Sequence, residues 1–128
     1  DMGAKIQAGG HKLPPIYCVN WFRKDEAGKF VWPGYGENMR VLKWMIDRLE
    51  GQAQGQETMF GITPTYGELN WTGLNFTADQ FKIVTSIDKA AWQQEFQLHT
   101  THFEQLAYNL PKALLDTKAA LQQRLAAV

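Results

Sequence analysis

At 128 residues the chain is long enough for one domain with a sizeable core, and 45% hydrophobic with 20% charged residues is the composition of a soluble globular protein. Its 13 basic and 13 acidic residues cancel, which leaves no net field to draw in nucleic acid, a membrane surface or a polyanion. No apolar run approaches the roughly 18 residues of a membrane span, no signal peptide opens the chain, and the single cysteine excludes an intramolecular disulfide and fits a reducing cytoplasm.

The opening Asp1-Met2-Gly3-Ala4-Lys5 does not look like a natural start, so a fragment is expected. Residues 1–15, with Gly9, Gly10 and Pro14-Pro15, read as a frayed helical end and a linker. Residues 16–22 carry Ile, Tyr, Cys, Val, Trp and Phe, the composition of a mostly buried strand with Cys18 as a buried thiol. The polar run from Arg23 to Gly28 is a turn, and residues 29–32 are the returning strand of a hairpin. Pro33-Gly34 and Tyr35-Gly36 then make flexible corners.

From Glu37 the period changes. Val41, Leu42, Met45, Ile46 and Leu49 recur at helical spacing, and Gly51 is placed to end the helix. Asn38 falls in its first turn, beside amides that have no partner within the helix. Residues 51–61 read as a glutamine- and glycine-rich connector, and residues 62–74 as irregular with at most one short strand. Thr77 and Gln80 make a capping box for a short helix through Val84, and Ser86 is a candidate cap for the next, with Asp88 in its first turn. Trp92, Phe96, His99, Phe103, Leu106 and Leu110 form a narrow stripe on a long helix. Pro111 opens a last helix striped by Leu114, Leu121 and Leu125 and ending at Val128, so a C-terminal antiparallel helical hairpin is expected. The fold class is therefore α+β.

Chemistry-bearing clusters are scarce. His99 and His102 stand three apart on one helix, but His99 occupies the apolar stripe and no acidic or thiol ligand recurs at a matching spacing, so a packed histidine is the expectation. Asp25, Glu26 and Asp79 read as solvated turn or cap carboxylates. Neither a Gly-x-x-x-x-Gly-Lys-Ser/Thr run nor a Gly-x-Gly-x-x-Gly occurs, and no nucleophile stands with a base. What remains is the aromatic stretch over residues 19–49, which holds Trp21, Phe22, Phe30, Trp32, Tyr35 and Trp44. Packing is the usual use of such rings. Two details point elsewhere: Trp21 and Phe22 are adjacent, so on a strand they face opposite ways, and Tyr35 sits between glycines, where backbone can approach a ligand.

The run Val-Asn-Trp-Phe-Arg-Lys-Asp-x-x-Gly-Lys-Phe-x-Trp-Pro-Gly-Tyr-Gly-Glu-Asn-x-Arg-Val-Leu-x-Trp-Met resembles the C-terminal part of GTP-dependent phosphoenolpyruvate carboxykinases. The likeness is close over residues 15–48. It is looser over 62–96, where Leu69-Asn70, Ser86-Ile87 and Trp92 agree, and weak over the last helices. The resemblance implies a single C-terminal fragment of a larger enzyme domain, with a nucleobase-pocket segment at 16–50 and a helical segment at 77–128. It implies that Phe22 and Tyr35 sandwich a guanine, that Trp21 and Phe30 line its edge, and that the turn Tyr35, Gly36, Glu37 and Asn38 contacts the purine. Tyr35 departs from the family's usual phenylalanine but stacks equally well.

The partners implied are GTP or GDP and the upstream part of the same enzyme, with no nucleic acid and no membrane. Manganese or magnesium, the phosphate-binding loop, the catalytic lysine and the lid belong upstream in the family, so neither catalytic nor metal residues are expected in this chain. The parent reaction implied is oxaloacetate and GTP to phosphoenolpyruvate, GDP and carbon dioxide, in the cytoplasm and in gluconeogenesis. With only two stacked faces, worth roughly 1–3 kcal/mol each, millimolar or weaker binding by the chain alone is expected. Two other readings stay open at this point: a stand-alone aromatic module docking a sugar or peptide, and an interaction protein using the long helix from Ser86. One physical requirement holds for the guanine reading. An amide flips, so Asn38 alone pairs with adenine as readily as with guanine. Guanine preference needs either a second hydrogen bond fixing the Asn38 amide or a backbone N–H aimed at O6.

Overall fold

The computed structural model describes residues 2–127; Asp1, at the expected fragment start, and Val128, at the expected end of the last helix, lie outside the described residues. The order is α1 (Met2–Ala8), a long irregular segment, a 3-10 turn at Tyr35–Glu37, α2 (Asn38–Leu49), strands β1 (Gln56–Thr58) and β2 (Gly61–Thr63), a 3-10 turn at Tyr66–Glu68, then α3 (Ala78–Thr85), α4 (Lys89–Gln105) and α5 (Lys112–Ala126). The fold is α+β, with helices around one small antiparallel sheet.

The hairpin expected at 16–32 does not form as a ladder. What remains is one antiparallel bridge, Lys24 to Phe30, held by the Val31 N–H on the Arg23 carbonyl and the Asp25 N–H on the Lys29 carbonyl, each at 2.9 Å. The reason lies in which side chains turn inward. Tyr17 and Trp21 pack against the core, but Val19, which shares their face at period two, stays exposed, as do Ile16 and Phe22 on the other face, so no continuous inward row supports a ladder. The Asn20 side chain also accepts the Phe22 N–H at 3.0 Å, which turns the backbone locally. Cys18 is accordingly exposed, not the buried thiol the composition suggested.

The two-stranded sheet lies instead within the polar connector, with Gln56 opposite Thr63 and Thr58 opposite Gly61. Its two-residue tip is structural: Met59 is buried with Phe96 of α4 and Leu125 of α5, and the Phe60 ring lies 4.5 Å from that of Trp92. The tip thereby docks the sheet onto the C-terminal hairpin. That hairpin is antiparallel, with Lys89 at the start of α4 reaching the Ala126 carbonyl at 3.2 Å and Lys118 of α5 reaching the Thr100 hydroxyl.

Helix ends follow local chemistry. Thr77 and Gln80 form the expected reciprocal capping box on α3. Asp88, not Ser86, caps α4, by accepting the Ala91 N–H at 3.0 Å, while Ser86 closes α3 through its N–H to the Ile83 carbonyl. Asp88 is three residues from Ala91, the spacing that brings a carboxylate over a first-turn amide. A second and larger core holds Trp32, Trp44, Ala53, Leu69, Phe76 and Phe81, and the aromatic stretch packs on it.

Candidate functional site

The site is built around the corner at residues 33–38. Gly34 has φ 126° and ψ −178°, a conformation open to glycine and rarely adopted by L side chains. The 3-10 turn follows, with the Glu37 N–H donating to the Gly34 carbonyl at 3.1 Å and the Asn38 N–H to the Tyr35 carbonyl. Both amides are therefore taken, although amides near a helix start are often free. The Tyr35 ring is left 91% exposed and, among the described residues, stacks on no other ring. Arg40 fixes the corner from behind. Its Nε donates to the Glu37 carboxylate at 2.6 Å, and its guanidinium also donates to the carbonyls of Asn70 and Thr72.

The other sequence-predicted rings divide into two contacts. Phe22 and Phe30 meet edge to face at 6.0 Å across the Lys24–Phe30 bridge, and they are 72% and 52% exposed. The Lys24 ammonium lies 5.2 Å from the centre of the Phe30 ring. Trp21 is half-buried and leans on Trp32 at 5.5 Å. Trp32 carries that contact inward to Trp71 at 6.5 Å and Phe76 at 5.8 Å. Its indole N–H donates to the Asn38 side-chain oxygen at 2.8 Å. Trp21, Trp32 and Asn38 thus form one connected cluster, with the Phe22–Phe30 pair beside Trp21 in sequence and Tyr35 on the adjoining turn.

The bent segment is anchored from a distance. Arg23 donates to the Ser86 carbonyl and hydroxyl, each at 2.8 Å, tying the turn to the α3–α4 junction. Asp25 accepts the Lys29 N–H at 2.9 Å and closes the loop between Phe22 and Phe30. Glu68 performs the same service under the sheet. Its carboxylate accepts the Thr65 and Gly55 N–H groups at 2.8 and 2.7 Å, together with the Thr65 hydroxyl and the Gln54 N–H. Those donors, the Thr65 N–H first, lower its pKa to about 2 against burial, which acts the other way.

Elsewhere the titratable groups are in ordinary roles. His99 lies 3.2 Å from Glu95 and stacks near Phe103. Among the described residues no three histidine, cysteine, aspartate or glutamate side chains gather to hold a metal.

In the sequence Trp32 stands among rings whose usual use is packing, and Asn20, Arg23 and Arg40 carry no pattern that marks a role in the site. Trp32 is packed, being 6% exposed, but its polar atom faces the site. The available signal was the indole N–H itself, which seeks an acceptor when buried. For Arg23 and Arg40 the acceptors are carbonyls and a hydroxyl far along the chain, which no local pattern reveals.

The corner thus presents the exposed rings of Phe22, Phe30 and Tyr35 and, on the neighbouring Trp32 cluster, a carboxamide oriented by an indole N–H. The family model described as the phosphoenolpyruvate carboxykinase C-terminal P-loop domain matches residues 1–124. The chain is 46% identical over 114 residues to a phosphoenolpyruvate carboxykinase (GTP) of Anaeromyxobacter sp. strain K, covering 89% of this chain and 19% of that protein. It is 42% identical over 120 residues to the enzyme of that name from Treponema pallidum, covering 93% and 19%, and 46% identical over 116 residues to the mitochondrial one of Mus musculus, covering 90% and 18%. The chain belongs to the GTP-dependent phosphoenolpyruvate carboxykinase family. It spans about a fifth of the length of these relatives.

Proposed function

We propose that this chain is the guanine-binding part of an enzyme that converts oxaloacetate and GTP into phosphoenolpyruvate, GDP and carbon dioxide. The observation that carries the reading is the exposure of Phe22 and Tyr35, at 72% and 91%, both shortly before a part-buried Asn38 carboxamide in the sequence. Among the described residues Phe22 meets only Phe30, edge to face, and Tyr35 stacks on no ring, so both leave a face free for a base to lie against. Trp21 and Phe30 wall the pocket, the turn of Tyr35, Gly36 and Glu37 approaches the purine edge, and Asn38 reads it.

Residues 16–50 then serve as the nucleobase segment and 77–128 as a helical buttress within one larger domain. Phosphate and metal chemistry fall to the remainder of the enzyme, whose covering surface is the second partner. The readings as a stand-alone module or a helical interaction protein are not favoured, because the family match runs through both segments. Among the described residues no helix is long and apolar enough to cross a membrane. A cytoplasmic setting is the proposal, resting on the lone cysteine.

The test is base preference. Asn38→Ala in the complete enzyme should lower the ratio of kcat/KM for GTP over ATP by about tenfold or more, the worth of one to two base-edge hydrogen bonds. An unchanged ratio overturns Asn38 as the reader.

A further inference from the structure

We propose that Trp32 is a positioning residue for base selectivity: its indole N–H pins the Asn38 carboxamide in the orientation that pairs with guanine. The inference rests on the guanine reading above and names the residue that makes that reading selective.

An indole nitrogen donates and cannot accept. At 2.8 Å from Asn38 Oδ1, it requires the oxygen, not the NH2, on the Trp32 side. Turning the amide over would set two donors face to face in a part-buried place and leave both without an acceptor. Guanine offers an O6 acceptor beside an N1–H donor. A pinned Asn38 meets both, because Nδ2 donates to O6 and the second lone pair of Oδ1 accepts N1–H. Adenine offers the reverse order, an N6 donor beside an N1 acceptor, and needs the overturned amide.

Two further observations favour this route. The backbone route to O6 is closed at Glu37 and Asn38, whose N–H groups donate to the carbonyls of Gly34 and Tyr35. Trp32 cannot swing to follow a flipping amide, because it is 6% exposed and wedged against Trp21, Trp71 and Phe76. The rigidity of the core is thus transmitted to one hydrogen bond at the edge of the pocket.

The experiment is a cycle of four proteins: the complete enzyme containing this chain, Trp32→Phe, Asn38→Ala and the double variant, each assayed for kcat/KM with GTP and with ATP. Trp32→Phe should lower the GTP-to-ATP ratio roughly tenfold, the worth of one satisfied donor, and should add nothing to the ratio once Asn38 is alanine. A purely structural Trp32 lowers both nucleotides together and leaves the ratio alone. If Asn38→Ala collapses the ratio and Trp32→Phe does not, the pinning is wrong and the guanine reading stands. If Asn38→Ala leaves the ratio unchanged, Asn38 is not the reader and the pinning fails with it. Should Trp32→Phe not fold, the Trp32 indole 15N–1H resonance decides. It should shift and exchange faster with solvent in Asn38→Ala, and an unmoved, equally protected resonance overturns the proposal.

Discussion

Two sets of aromatic rings lie next to one another in this chain and meet opposite fates. Trp32, Trp71, Phe76, Phe81 and Tyr66 interlock at centroid distances of 5.0 to 6.5 Å around buried Phe76 and Phe81. Phe22, Phe30 and Tyr35, which flank Trp32 in the sequence, remain exposed. Residue type does not separate them, since both sets mix phenylalanine with polar-tipped rings. Backbone and polar atoms do. The buried rings sit where hydrogen bonds close: the Tyr66 hydroxyl on the Phe76 carbonyl at 2.7 Å, and the Trp71 indole on the Tyr66 carbonyl at 2.9 Å. The exposed rings sit on bends set by Asn20, Asp25 and Gly34, which hold them away from the core.

Trp32 belongs to both sets. Its ring is in the core, and its N–H is on the site. Trp44 makes the contrast plain, being 2% exposed with an indole N–H that finds no partner among the described residues. A buried tryptophan donor is normally satisfied, and Trp32 satisfies its own on Asn38.

The comparison can be broken by removing a ring from the buried set. Phe76→Ala deletes the ring between Trp32 and Trp71 and should cost about 3–5 kcal/mol of unfolding free energy, measured by denaturant titration. Such a loss would leave the exposed rings without a platform, so nucleotide affinity should fall with it. A smaller effect is expected under the sheet. Glu68→Gln places an NH2 among donors and should cost roughly 1–3 kcal/mol near neutral pH. The Glu68 pKa is depressed from 4.5 to about 2 in the folded chain, so the stabilisation is complete above the unfolded value and is lost as pH falls through that window. The gap between Glu68→Gln and the unaltered chain should therefore close as pH is lowered from 5 toward about 2. The smallest effect on stability is expected at Gly36, where an added Cβ meets nothing within 4 Å and φ is not positive. Gly36→Ala should leave the unfolding free energy within about 0.5 kcal/mol while weakening nucleotide binding, because the methyl meets no atom of this chain and projects from the turn proposed to approach the purine.

Most of the helical half was legible because its signals are local. The Thr77–Gln80 box, the Pro111 break and the stripes through Phe96 and Leu125 each act within a turn or two. Strands were less legible, since a strand exists only with a partner. Residues 16–22 have strand composition, yet Tyr17 and Trp21 turn toward Trp44 and Trp32 and no ladder is left for the rest. The polar 56–63 segment pairs because its tip docks on the C-terminal helices, Met59 buried against Phe96 and Leu125 and the exposed Phe60 ring in contact with Trp92, a long-range gain invisible in a glutamine-rich run. In the candidate site the residue types were legible and their support was not. Motif residues Asn20, Arg23, Asp25 and Arg40 serve the bends and anchors. The Trp32–Asn38 bond joins two residues whose separate roles, packing and reading, gave no hint of a contact.

If the exposed rings serve a base and the buried rings serve the fold, the two roles separate when both the thermal midpoint and the KM for GTP are measured on one preparation of the complete enzyme carrying Phe22→Ala with Tyr35→Ala. Both side chains are exposed, so the midpoint should move by no more than about 2 °C. KM for GTP should rise at least tenfold, from the loss of two stacking faces worth about 1–3 kcal/mol each. A midpoint that drops sharply with KM unchanged would contradict the account and return these rings to the core.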